Sequence, residues 1–188
     1  MARSDSVYEL PDNLPVPTDD GACAHLLGLG IPSLALPATD GRLVDLAALP
    51  GRTVVYCYPR TGRPDLELPT GWNDIPGARG CTPEACGFRD HHAELAAFGA
   101  SVFGLSTQET AYQQEAANRL HLPFALLSDA ELRFATVLRL PTFTVDGMTL
   151  INRLTLILRD GAIEHVFYPV FPPDTHAAAV VAWLAERP

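Results

Sequence analysis

The chain has 188 residues, 22 of them acidic and 13 basic, a formal net charge of −9. Every basic residue is arginine, which excludes chemistries that need a lysine amine: Schiff-base and pyridoxal-phosphate catalysis, and phosphate loops ending in Gly-Lys-Ser/Thr. The acidic balance argues against nucleic acid as a partner, and no apolar run nears the ~20 residues of a membrane-spanning helix.

Residues 1–27 are rich in proline and aspartate, without a sustained period, and read as an N-terminal extension. The first ten residues lack the apolar core of a signal peptide, so the expected compartment is the reducing cytoplasm. The main domain is expected to run from 28 to 188. Ser33–Leu36 reads as a strand and Ala38–Arg42 as a turn. Thr53–Tyr58, β-branched and aromatic between Gly51 and Pro59, suits a buried central strand.

Residues 60–80 form an unusually long loop for a compact domain, which makes them a candidate functional feature. Thr82-Pro83 predicts a helix start with Thr82 as the cap, Pro83 at the first position and Glu84 in the first turn. Ala85, Phe88, Leu95 and Phe98 lie near a helical stripe that Gly99 ends. Then follow a strand at Ser101–Ser106, a helix at Glu109–His121, a strand at Phe124–Leu127 and a short helix at Asp129–Leu138. Arg153–Leu158 and Ala162–Tyr168, joined by Asp160-Gly161, read as a hairpin, and a helix closes the chain from about Pro173 to Glu186. This order predicts an α/β protein with a mixed sheet flanked by helices, a thioredoxin-like arrangement rather than an all-parallel one.

The chemistry concentrates in Gly80-Cys-Thr-Pro-Glu-Ala-Cys-Gly-Phe-Arg-Asp-His-His92. A thiol at a helix start meets unpaired backbone amides, which favour the thiolate, so Cys81 is expected to have a lowered pKa. Cys86 is five positions after Cys81, which in a helix places their Cα atoms roughly 8.6 Å apart. That exceeds the ~7 Å limit for a disulfide, so the pair bonds only if the helix start unwinds. A redox cycle fits this geometry better than a structural bridge.

These residues resemble the peroxiredoxins of the peroxiredoxin Q (bacterioferritin comigratory protein) type, from about Gly30 to Trp183. The resemblance rests on Tyr56-Cys-Tyr-Pro59, on Gly80-Cys81-Thr82 with Glu84, Ala85 and Cys86, and on Phe88-Arg-Asp90. Phe103-Gly-Leu-Ser-Thr107, Asn152–Gly161 and Glu164-His-Val-Phe167 add to it. It implies that Cys81 is the peroxidatic cysteine, Cys86 the resolving cysteine and Arg153 the active-site arginine, buttressed by Glu84. It implies a thiol-dependent peroxidase acting on hydrogen peroxide or organic hydroperoxides through a Cys81 sulfenic acid and a Cys81–Cys86 disulfide. It further implies a thioredoxin or glutaredoxin-like reductant, no metal or organic cofactor, and a monomer or homodimer.

The chain departs from the family in one place. The motif Pro-x-x-x-Thr-x-x-Cys has Ala78 where its threonine stands, and 15 extra residues separate Pro59 from Cys81. The loop at about 60–80 is thus an insertion by resemblance, and Thr61 or Thr82 is expected to supply the missing hydroxyl. A redoxin that exchanges disulfides but reduces peroxide weakly, or a redox sensor without enzymatic turnover, is the alternative. Cys57 reads as core and Cys23 as a bystander thiol. Zinc on Cys81, Cys86, His91 and His92 fits poorly, since one continuous helix aims such ligands apart; the histidines read as a solvated face.

Overall fold

The computed structural model describes residues 6–187. Five strands form the central sheet, in the spatial order Leu126–Ser128, Ala100–Ser106, Arg52–Cys57, Leu154–Arg159, Ala162–Phe167. β3 (Arg52–Cys57) lies at its centre, parallel to β4 (Ala100–Ser106) and antiparallel to β8 (Leu154–Arg159). β5 (Leu126–Ser128) extends the parallel side, and β9 (Ala162–Phe167) returns from β8 around Asp160-Gly161, both in the left-handed region that a two-residue hairpin needs. The expected mixed sheet is therefore present.

Every residue of β3 is buried, because both faces of the sheet are covered. Val54 and Tyr56 point into one core, with Phe88 of α1 (Cys81–Asp90), Leu95 of α2 (His92–Ala97) and Val180 and Leu184 of α5 (His176–Ala185). Val55 and Cys57 point into the other, beneath the hairpin of β1 (Ala35–Pro37) and β2 (Leu43–Asp45) and beneath Phe134 of α4 (Arg133–Leu138). Cys23 and Leu26 are buried in this second core, tying residues from the N-terminal segment to the domain.

The structure corrects the predicted long helix in two ways. Its cap is Gly80, in the left-handed region at φ 102°, so Cys81 and not Pro83 is the first helical residue and Thr82 caps nothing. A side chain at 80 would run into Pro173 Cγ and approach Leu10 Cδ2 to 2.8 Å, which makes glycine the residue that fits. The helix also breaks at His91 into α1 and α2, leaving Phe98 exposed rather than on the buried stripe. α3 (Thr110–Arg119) follows its predicted helix closely, whereas β1 and β5 begin two residues later than read.

Three strands went unread in the sequence: β2, which pairs with β1 across the predicted turn, and a hairpin of β6 (Thr142–Val145) and β7 (Met148–Ile151). The turn of the β6–β7 hairpin is Asp146-Gly147, a hairpin signal flanked by β-formers. Val145 and Leu150 from this hairpin meet Trp72 and Ala78 in a third, small core that anchors the 60–80 loop.

Candidate active site

Sheet topology assembles the site. In the antiparallel register of β3 and β8, Cys57 faces Leu154, so the chain leaving β3 and the residue entering β8 meet at one sheet end. The residue entering β8 is Arg153, with 3% of its surface exposed. Its guanidinium is fully engaged. Nη2 donates to Cys81 Sγ at 3.1 Å and to the carbonyls of Ala78 and Arg79 at 3.2 and 3.1 Å, and Nε donates to the Gly77 carbonyl at 3.2 Å. Nη1 donates to Glu84 Oε2, completing an ion pair between two buried side chains. One planar cation thus gathers the three carbonyls that precede α1, its first side chain and its first-turn carboxylate, a task suited to the rigid donor fork of arginine.

All four side chains singled out from the sequence are present at this helix. Cys81, Glu84 and Arg153 meet directly; Cys86 lies further along α1, half-buried, and both thiols are free. Cys57 is buried in core, as read, and Cys23, read as a bystander thiol, is free and buried in the same core. His91 bonds Glu94 at 2.7 Å while His92 lies against Phe124, and among the described residues no cluster suited to a metal ion forms.

Electrostatics here correct the expectation of an acidic thiol. Burial pushes the Cys81 thiol above its ordinary value; Arg153 pulls it down, and the Glu84 carboxylate pushes it up again. Burial likewise pushes Glu84 up to about 7 against the opposing pull of Arg153. A single cation serves two acids, and their titrations are linked.

Neither hydroxyl expected to replace the motif threonine bonds the sulfur. Thr61 Oγ1 donates to Gln108 Oε1 at 3.1 Å, and Thr82 Oγ1 is buried without a hydrogen-bond partner although it lines the same small cavity as Cys81. Besides Arg153, the sulfur meets the main-chain amide of Arg60 and donates to the Ala78 carbonyl at 3.6 Å. Sequence reasoning missed Arg60, because its contribution is a backbone group that carries no sequence signal. The loop bearing it is locked: Thr61 N–H donates to Gln108 Oε1 at 3.1 Å, Tyr112 hydroxyl donates to the Thr61 carbonyl at 3.1 Å, and the Arg60 guanidinium lies 4.5 Å from the Tyr112 ring centroid.

Two cavities adjoin. One of about 700 Å³ is bounded by loop residues 63–74, and one of about 10 Å³ lies at Cys81 itself. The larger does not touch the thiol.

The Redoxin family profile matches residues 27–181. Peroxiredoxin Bcp of Escherichia coli K12 is 34% identical over 164 residues, 83% of this chain and 93% of that protein. Chloroplastic peroxiredoxin Q of Oryza sativa subsp. japonica is 32% identical over 151 residues, 79% of this chain; the match spans only 62% of the rice protein's length. The crystal structure of peroxidoxin BcpB from Mycobacterium tuberculosis superposes with a TM-score of 0.71 at 27% identity, covering 87% of this chain and 99% of that one.

Proposed function

The chain belongs to the redoxin family, to its peroxiredoxin Q/Bcp type, and on that premise we propose that it is a thiol-dependent peroxidase with Cys81 as its nucleophile. The observation that carries this reading is the 3.1 Å contact between Arg153 Nη2 and Cys81 Sγ at the first position of α1. There a thiolate gains a fixed counter-charge, and the same guanidinium faces the charge that develops on a peroxide as its O–O bond breaks.

The sulfur attacks the nearer peroxide oxygen. An S–O bond forms, the O–O bond breaks and the leaving alkoxide or hydroxide takes a proton, giving a sulfenic acid and an alcohol or water. The Cys86 thiol then displaces that hydroxyl as water, forming the Cys81–Cys86 disulfide. A dithiol donor of thioredoxin or glutaredoxin type supplies the two electrons and two protons that restore both thiols. Glu84 acts through Arg153 as a positioning residue. The 60–80 loop is an insertion within the domain, residues before 28 are an extension, and the setting is the cytoplasm.

The test is stoichiometric peroxide added to the reduced protein, followed by turnover with a dithiol donor. Rapid Cys81 oxidation with turnover is expected. Rapid disulfide exchange with slow peroxide reaction would point instead to an oxidoreductase, and oxidation without turnover to a sensor.

A further inference from the structure

We propose that Val7, Leu68 and Trp72 form a steric cap over Cys81 that favours hydrogen peroxide over bulky organic hydroperoxides. The inference rests on the peroxidase reading above and names its specificity-determining residues. These three residues line the small cavity at Cys81, together with Arg60, Gly62, Arg79, Gly80 and Thr82. Its volume, about 10 Å³, is what a single water requires. Hydrogen peroxide is little larger than water. An organic hydroperoxide such as cumene hydroperoxide carries a phenyl ring and a branched carbon that must displace a wall.

The walls are held, not loosely draped. Val7 is 8% exposed and Trp72 4%. Trp72 is packed in the small core with Ala78, Val145 and Leu150. On either side of Val7 the backbone is clasped by Arg79, whose Nη2 donates to the carbonyls of Ser6 and Glu9, and the neighbouring Tyr8 accepts from Arg119 Nη1 at 3.1 Å. Close packing against Gly62 joins Val7 to Leu68: a Cβ at that glycine would lie 2.6 Å from Val7 Cγ1 and 3.3 Å from Leu68 Cδ2.

Leu68 and Trp72 also bound the 700 Å³ chamber, so these two side chains stand between that space and the sulfur. Asp65, Glu67 and Asp74 line the chamber, a poor seat for an apolar tail even if the partition moved. The large cavity is therefore not the organic subsite its size suggests.

Two variants loosen the cap from opposite sides. Val7→Ala removes part of a wall, and Gly62→Ala adds a methyl group that pushes Val7 and Leu68 away without deleting an atom from either. Oxidation of Cys81 by hydrogen peroxide and by cumene hydroperoxide would be timed by quenched alkylation and peptide mapping, with folding checked by circular dichroism. Unaltered protein is expected to favour hydrogen peroxide at least tenfold, and both variants to reduce that preference at least threefold. Equal rates with the two peroxides in unaltered protein, or an unchanged preference in either folded variant, overturns the cap while leaving the peroxidase reading standing. A Cys81 that reacts with neither peroxide overturns both.

Discussion

Arg153 and Cys81, 72 residues apart in sequence, are brought to 3.1 Å by the register of β3 against β8. The same guanidinium pairs with Glu84, so a thiol and a carboxyl compete for one buried charge. Glu84→Gln keeps a carbonyl acceptor for Arg153 while removing the carboxylate that pushes the Cys81 thiol up. The thiol pKa is expected to fall, raising the thiolate fraction at neutral pH several-fold. Thiolate absorbance, titrated in a Cys86→Ser background, measures it. A rise would mean that Glu84 matters only as a strut whose loss misplaces Arg153.

Cys86→Ser separates attack from resolution. Peroxide should still oxidise Cys81, with the product stalling as a sulfenic acid or advancing to sulfinic acid. Cys81→Ser should abolish the reaction. In the unaltered chain, peptide mapping should find Cys81 joined to Cys86, with faster amide exchange across residues 80–90. A bridge from Cys81 to Cys23 or Cys57 would remove Cys86 from the cycle.

Gly80→Ala tests the helix start. The left-handed backbone alone costs about 1–2 kcal/mol for a residue with a side chain, and the new methyl group collides with Pro173 and Leu10. Stability in urea should fall by at least that amount, and peroxide reactivity should fall with it because Cys81 is the next residue. A stable variant of full reactivity would show that the turn relaxes without moving the sulfur.

His176 supplies a pH dependence. It lies between Phe88 and Phe167 with Nε2 2.8 Å from Thr155 Oγ1, and burial pushes its pKa down to about 3 from 6.5. The unfolded chain therefore binds a proton that the native chain refuses. This contribution is complete above about pH 6.5 and shrinks as pH falls toward 3. Glu84, raised to about 7, acts in the opposite sense, its contribution shrinking as pH rises through that value. His176→Asn leaves Glu84 in place, so a shallower loss of stability between about pH 7 and about pH 4 isolates the histidine. Parallel urea-unfolding curves for the two proteins would contradict this.

The sheet was legible because its signals are local. β3 is a β-branched and aromatic run bounded by Gly51 and Pro59, and Asp160-Gly161 marks the last hairpin. Cys81, Cys86 and Glu84 share one helix, so their grouping needed only helical periodicity, whereas Arg153 became legible through the resemblance. The β6–β7 hairpin was readable from Asp146-Gly147 and was missed. The rest is tertiary. The direction of the Cys81 shift depends on burial by the folded chain, which with the Glu84 carboxylate outweighs the pull of Arg153 and the Arg60 amide. Nothing in the sequence of residues 6–10 announces that Val7 closes a cavity against a loop some 60 residues away.

Gly80 and Gly87 let α1 settle closely onto the turn at residues 173–175, Gly80 facing Pro173 and Gly87 facing the Asp174 carbonyl. The Cys81–Cys86 disulfide of the proposed cycle forms only when the turn between these glycines opens. The free energy of docking that turn is therefore withheld from the oxidised state and returned on reduction. Docking acts as a spring loaded by oxidation: each 1.4 kcal/mol stored in it raises the reduction potential of this two-electron couple by about 30 mV. The surface that shapes α1 in the dithiol form also sets how readily a partner dithiol can reclaim it.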